Sequence, residues 1–345
     1  MRLLCTRENT VVVLPRERVR RFYQPGWHTF EEQDWPHVQL TNIYGMCWRR
    51  PTWDERRPGD VVLLVRDGGL GDLLMLTPTL RHLAGEGLRV RLVCYECWSR
   101  VFDGNPNVER VTGTVAYPGG TAPSYDCDFH FELCNALESY GDPVLAPMPR
   151  IDRFLWTICG QVPPDKHLDF QLDPEGQAEA DALLAPLEGR PFAALCARSH
   201  ATGDRAWLPE YVPEFVRLMA EAGMATVRAG FRFPEAFDVD GVLDLRGCTP
   251  DLHTLAGVLN RAAVVVSPDT GTLHLGAALS QPVLGLFTDE PMMYRVTPYY
   301  DTLIALHCGS KGDLTPERVV RQALRARDRQ AAAGAGPEYV HAEVA

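Results

Sequence analysis

The chain has 345 residues, 34 Lys and Arg against 45 Asp and Glu, and a net charge of −11. With 46% hydrophobic and 23% charged residues it has the composition of a folded globular protein, which excludes a disordered one. No apolar run approaches the ~20 residues that span a bilayer, and so acidic a balance argues against nucleic acid as a partner, because that binding runs mainly on phosphate neutralisation.

At about 100–200 residues per domain, the length suggests two domains. The first residues, MRLLCTRENTVVVLPRERVRR, show no apolar core followed by a small-residue cleavage site. A cytoplasmic location is expected, at most peripheral to the inner face of a membrane. Ten cysteines are scattered along the chain. The one close pair, Cys94 and Cys97, lacks the second CxxC or His pair that would complete four zinc ligands, so packing is the simpler reading and no metal is expected.

Residues 1–58 read as an N-terminal extension, with ten Arg against seven acidic residues and VVVL (11–14) as a candidate strand. From Asp60 the pattern becomes regular. VVLLV (61–65) suits a strand buried on both faces, a glycine-rich turn DGGLGD (67–72) follows, and LLMLTPTLRHLA (73–84) has helical spacing. Strands are predicted at 89–95, 108–113 and 128–133, and helices over IDRFLWTICG (151–160) and EGQAEADALLAPL (175–187), with a linker near 163–174.

A second unit begins near Pro191. Strands are predicted at 192–197, 225–230, 242–245, 264–268 and 282–287. Helices are predicted at 209–223, ended by Gly223, at 249–262 from a Thr–Pro start, at 272–279, and from Thr315-Pro316-Glu317 to about Arg329. The tail beyond is expected to fray. The resulting class is α/β, two Rossmann-like domains facing across a cleft in the GT-B manner: the extension at 1–58, an N-terminal domain at 59–168, a C-terminal domain at 169–312, and a last helix with a flexible tail at 313–345. Length and element order alone leave periplasmic-type binding proteins and sugar-nucleotide epimerases open.

Two motifs carry chemistry. The turn Asp67-Gly68-Gly69-Leu70-Gly71-Asp72 is neither GxGxxG nor a P-loop, but Gly68, Gly69 and Gly71 let a ligand approach the backbone near the acceptor. By itself it admits two roles for Asp72, helix cap and catalysis. In VVVSPDTGTLHLGAAL, Asp269-Thr270-Gly271-Thr272 lies between a buried strand and a helix start, with His274 in the first turn. Helix-start N–H groups and the positive dipole end seat a diphosphate there, with Thr270, Thr272 and His274 as added donors. The plainer alternative makes Asp269 an N-cap and His274 a satisfied surface histidine. Asp126-Cys127-Asp128 and Asp238-Val239-Asp240 match a DxD metal pattern only superficially, because hard cations need several converging oxygens.

VVLLVRDGGLGDLLMLTPTLRHL, VLDLRGCTPDLHTLAGVLNRA and SPDTGTLHLGAALSQPVLGLF together resemble glycosyltransferase family 9, the ADP-heptose:lipopolysaccharide heptosyltransferases, over about residues 60–330. The resemblance implies an inverting, metal-independent sugar transfer from a nucleotide-diphosphate sugar, ADP-linked and heptose-bearing by family default, with no other cofactor. It implies Asp72 as general base and Asp269, Thr270, Gly271, Thr272 and His274 as the donor's diphosphate site. Arg205 in GDRAWLP stands where the family has Lys, and Glu235 stands near the family's ribose-binding acid. Phe287-Thr288-Asp289 replaces a longer family loop, which bears on the donor sugar. Asp72 and the donor residues would meet only if the two domains close. The partners implied are the nucleotide-sugar donor and a glycan or lipid-linked acceptor. The alternatives on this architecture are a sugar-nucleotide epimerase and a non-catalytic nucleotide-sugar-binding protein.

Overall fold

The structure, a computed structural model, describes residues 53–116, 118, 127–133, 148–198, 205–231, 239–329 and 336–341, and the backbone of five N-terminal strands. The chain divides into two compact units. The first holds residues 1–67, 81–97 and 106–137, and the second holds 68–80, 98–105 and 138–345.

In the first unit, β1 (Arg2–Thr6), β2 (Thr10–Leu14), β3 (Val19–Tyr23), β4 (Gly26–Phe30) and β5 (Gln39–Asn42) form two small antiparallel sheets, ordered β1-β4 and β3-β2-β5. The 11–14 strand is present, extended by one residue. A four-stranded parallel sheet follows, of β6 (Val61–Val65), β7 (Arg89–Tyr95), β8 (Arg110–Thr114) and β9 (Phe129–Glu132), in the order β8-β7-β6-β9. All five residues of β6 are buried, as an apolar run covered on both faces requires. Chain order reverses between β6 and β9, and there Arg66 Nη1 donates to the Leu133 carbonyl at 2.7 Å and to Asp67 Oδ1 at 3.2 Å. Asp128 Oδ2 accepts the Val61 N–H at 2.8 Å and so serves the sheet; Asp126 and Asp238 lie outside the described residues. Cys94 is buried, which with the neighbouring Cys97 pushes its thiol up to about 12 and keeps it protonated.

Helix α1 (Leu70–Gly85) links the units. The second unit continues with α2 (Arg150–Cys159), α3 (Pro174–Leu184), β10 (Phe192–Leu195), α4 (Val212–Glu221), β11 (Ala225–Arg228), β12 (Val242–Asp244), α5 (Leu252–Asn260), β13 (Val264–Pro268), α6 (Gly271–Ala278), β14 (Val283–Phe287), α7 (Glu290–Val296), β15 (Leu303–His307), α8 (Pro316–Asp328) and β16 (Glu338–His341). Its seven strands are parallel, in the order β12-β11-β10-β13-β14-β15-β16.

Four differences from the sequence reading have local causes. Helix α1 begins three residues early because Leu70-Gly71-Asp72 forms its first turn. Helix α5 begins at Leu252, capped by Asp251, whose carboxylate accepts the Thr254 N–H at 2.9 Å; Thr249-Pro250 precedes it. Residues 338–341, expected to fray, pair with β15 as the sheet's edge strand. β15 and α7 were not foreseen, since TLIALH and EPMMYRV are too short to show a period.

The core of the second unit joins this sheet to α4 and α8. Trp207 is 1% exposed, packs edge-on to Phe215 at 5.6 Å between centroids, and donates its indole N–H to the Leu314 carbonyl at 2.8 Å. It therefore anchors the strand-end segment carrying Arg205. Trp207→Ala is expected to cost about 3–5 kcal/mol through the cavity it leaves. Trp207→Phe is expected to cost less, about 1–3 kcal/mol. Urea unfolding of the two variants checks both the size and the order.

Candidate functional site

The chain reverses between β10 and β13, and ligands of open α/β sheets bind beyond the strand carboxyl ends at such a point. β13 ends at Pro268 and delivers Asp269 and Thr270 directly into the start of α6, where the first N–H groups have no partner within the helix. Thr270 is the N-cap, not Asp269, and makes no side-chain capping bond. Its hydroxyl lies 2.7 Å from that of Thr272 and 3.0 Å from that of Ser267, while Ser267 and Thr272 are 2.9 Å apart. The three hydroxyls thus form a bonded triad beneath the helix start.

Asp269 is 9% exposed. Its carboxylate meets Arg205 Nη1 at 3.0 Å and His274 Nε2 at 3.9 Å. Burial is the largest influence on its pKa and pushes it up, but the His274 hydrogen bond and the charges of His274, Arg205 and Arg150 outweigh that and hold it below the ordinary value. His274 is buried, not at the surface, and its Nδ1 has no hydrogen-bond partner among the described residues.

The other motif is built at the start of α1. Asp72 lies in the first turn and reaches back, its Oδ2 accepting the Gly69 N–H at 2.9 Å, the acidic half of a capping box. Its Oδ1 takes an ion pair from Arg150 Nη1 at 2.6 Å. Gly68 has φ +108°, and a Cβ there would lie 2.7 Å from Asp72 Oδ2, so the turn admits only glycine.

The two helix starts pack on each other. A Cβ on Gly71 would lie 2.4 Å from His274 Cδ2, and a Cβ on Gly271 would lie 2.8 Å from the Leu70 Cβ. Residues 68–80 belong to the same compact unit as residues 269–274. The Asp72 turn and the Asp269–His274 segment thus lie in one compact unit, whereas the sequence reading placed them in two domains.

A cavity of about 440 Å³ opens beside Asp269, past the ends of β13 and β14. Arg205, Trp207, Thr288, Asp289, Met292 and Lys311 are among its walls. Asp289 caps α7 by accepting the Met292 N–H at 2.8 Å, so the 287–289 segment is held by the helix it begins.

Of the sequence candidates, Gly68, Gly69, Gly71, Asp72, Arg205, Asp269, Thr270, Gly271, Thr272 and His274 fall in this region, and Glu235 lies outside the described residues. Arg150, Ser267 and Lys311 were missed. Arg150 opens α2 behind Pro149 and carries no motif, whereas Lys311, one of two lysines in the chain, was visible as an oddity of composition. Among the described residues no group of three or more His, Cys, Asp or Glu is placed to hold a metal ion, and no helix is long and apolar enough to cross a membrane.

The two parallel sheets with their helices define a GT-B type fold. Residues 159–319 match the family model of glycosyltransferase family 9 (heptosyltransferase). A family 9 glycosyl transferase from Veillonella parvula is similar in structure, with TM-score 0.63 and 14% identity over 79% of this chain and 98% of that one. The E. coli ADP-heptose lps heptosyltransferase II gives 0.60 and 14% over 77% and 98%, and E. coli heptosyltransferase WaaC with ADP gives 0.57 and 19% over 77% and 99%. No curated protein matches the chain in sequence.

Two outcomes follow from the geometry. Gly71→Ala must displace the buried His274 ring and is expected to cost about 1–3 kcal/mol, measured by chemical unfolding. Asp269, its pKa depressed in the fold, contributes stability that is present above the ordinary aspartate value of 3.8 and is lost as pH falls through its lower folded value. Asp269→Asn is therefore expected to melt below the wild type at pH 7 and to close on it as the pH is lowered past that value. A deficit constant from pH 7 to pH 3 would contradict the assignment.

Proposed function

We propose that the protein is an inverting glycosyltransferase that moves a sugar, a heptose by family likeness, from an ADP-linked donor to an acceptor hydroxyl, with Asp72 as general base. The observation that carries this is the contact of the two helix starts, which sets a carboxylate beside an anion seat within one compact unit. Support comes also from the family 9 match and from the solved relative described as holding ADP.

In this reading the diphosphate lies over the start of α6, met by its N–H groups, Arg205 and His274. Asp269 orients those two side chains, and Gly271 lets α6 pack on Leu70 so that the helix start stays beside the Asp72 turn. The cavity bounded by Thr288, Asp289 and Lys311 takes the donor's sugar, its volume being within the usual range for small-molecule sites. The acceptor oxygen attacks the anomeric carbon from the face opposite the diphosphate and gives its proton to Asp72. The bond to the leaving phosphate breaks, and Arg205 with the helix start takes the charge that develops there, so this route is independent of metal. By family likeness the acceptor is carried by a glycan or a lipid, with the protein working from the cytoplasmic side.

A thermal-shift panel of nucleotide sugars tests the donor class, since a ligand of the native state raises its melting temperature. ADP-sugars are expected to shift it and UDP-sugars to leave it unchanged. Arg205→Ala with His274→Ala is expected to weaken ADP binding by several kcal/mol, at about 1.5–3 kcal/mol for each charge-assisted contact. Unchanged ADP affinity by calorimetry would remove the donor from this seat. Asp72→Asn preserves an acceptor for the Gly69 N–H but cannot take a proton. It is expected to keep ADP affinity and to lower turnover about 10²–10⁴-fold, whereas a purely capping Asp72 would leave turnover near wild type.

A further inference from the structure

Arg150 is the first residue of α2, and its place there is set by the helix. Behind it the Pro149 carbonyl accepts the N–H groups of Asp152 and Arg153 at 3.0 and 3.2 Å, and Ile151, Phe154, Leu155 and Ile158 bury the helix's apolar face. From that base the guanidinium reaches Asp72 Oδ1 at 2.6 Å, with both side chains about one-fifth exposed. The other carboxylate oxygen is held by the Gly69 N–H, and Gly68 closes against it from the turn side. Bonds on both oxygens fix the plane of the carboxylate.

Further groups of the site are His274 on α6, packed against Gly71, and the Asp269–Arg205 pair that His274 borders. The field of Arg150 extends to Asp269 as well. One guanidinium thus pairs with Asp72 and also acts on Asp269.

We infer that Arg150 is a positioning residue, whose guanidinium holds the Asp72 carboxylate in the orientation that receives the acceptor's proton. The inference rests on the reading of Asp72 as base. It separates Arg150 from a ligand of the diphosphate, which would act on donor affinity, and from a mere fold pin, which would act on stability. Arginine suits the task better than lysine, because its planar fork constrains a carboxylate that a point charge leaves free to turn.

The test is a double-mutant cycle on ADP release from ADP-heptose, with water as acceptor and ADP affinity measured in parallel. R150Q is expected to lower kcat about 10–100-fold, the scale of a misplaced group, while KM and the Kd for ADP stay within about threefold. R150K is expected to recover part of the loss. In the D72N background R150Q is expected to have less than about twofold further effect, since a positioning residue has nothing left to position. R150M, of similar length, serves if R150Q does not fold. Additive losses in the double variant, or an ADP Kd weakened tenfold with kcat kept, would overturn the positioning role and leave the base reading intact. D72N at wild-type kcat, or a wild type that binds ADP-heptose and releases no ADP, would overturn the base reading and this inference together.

Discussion

The contact between two helix starts, made across glycines, is what the candidate site depends on. Gly71 lies where any side chain would strike His274, and Gly271 lies where one would strike Leu70. Without those hydrogens in place of side chains, α1 and α6 could not approach closely enough for Asp72 and the Asp269 segment to share one neighbourhood. Each helix start also follows a strand at a point of chain reversal, β6 beside β9 for the first and β13 beside β10 for the second. Strand order decides which loops can become a site, and glycine decides how near they come.

Charge is balanced around that contact before any ligand arrives. Asp72 is matched by Arg150 and Asp269 by Arg205, with His274 buried against both α1 and Asp269. Buried carboxylates are costly unless paired, and removing one partner leaves the other exposed to the full desolvation penalty. The pairs are therefore not chiefly a source of stability. They keep ionised groups at fixed positions within a partly desolvated site, which is the condition under which such groups act on a substrate without first reorganising.

Much of this was legible in the sequence, for identifiable reasons. Buried parallel strands read as unbroken apolar runs, so 61–65, 89–95 and 264–268 were found to the residue. The DGGLGD and DTGTLH motifs were legible because glycine beside a helix start has few other uses. Their direct packing was not, since the steric fit of Gly71 to His274 spans about two hundred positions and leaves no local pattern. Arg150 was invisible for the same reason: its partner Asp72 lies 78 residues away. Asp251 was overlooked because Thr249-Pro250 offered a stronger start signal two residues earlier, and the edge strand at 338–341 because a four-residue strand derives its stability from its neighbour and not from its own composition.

Arg205 is the member of the charge set best able to change partners. Its side chain is about half exposed, whereas the His274 side chain is 3% exposed and Asp269 is held from several sides. In the structure its guanidinium lies 3.0 Å from the Asp269 carboxylate and 3.5 Å from the Asp269 carbonyl, at the rim of the 440 Å³ cavity. On the proposed donor reading an incoming diphosphate needs a cation, and the half-exposed Arg205 side chain can turn from carboxylate to phosphate. Asp269 would then lose one partner and keep His274, whose orientation α6 and Gly71 enforce. A lysine at this place could supply the charge but not a planar fork that meets two phosphate oxygens together. The arginine at 205 therefore fits the proposed donor site, in which Asp269 keeps His274 as a partner when Arg205 turns away.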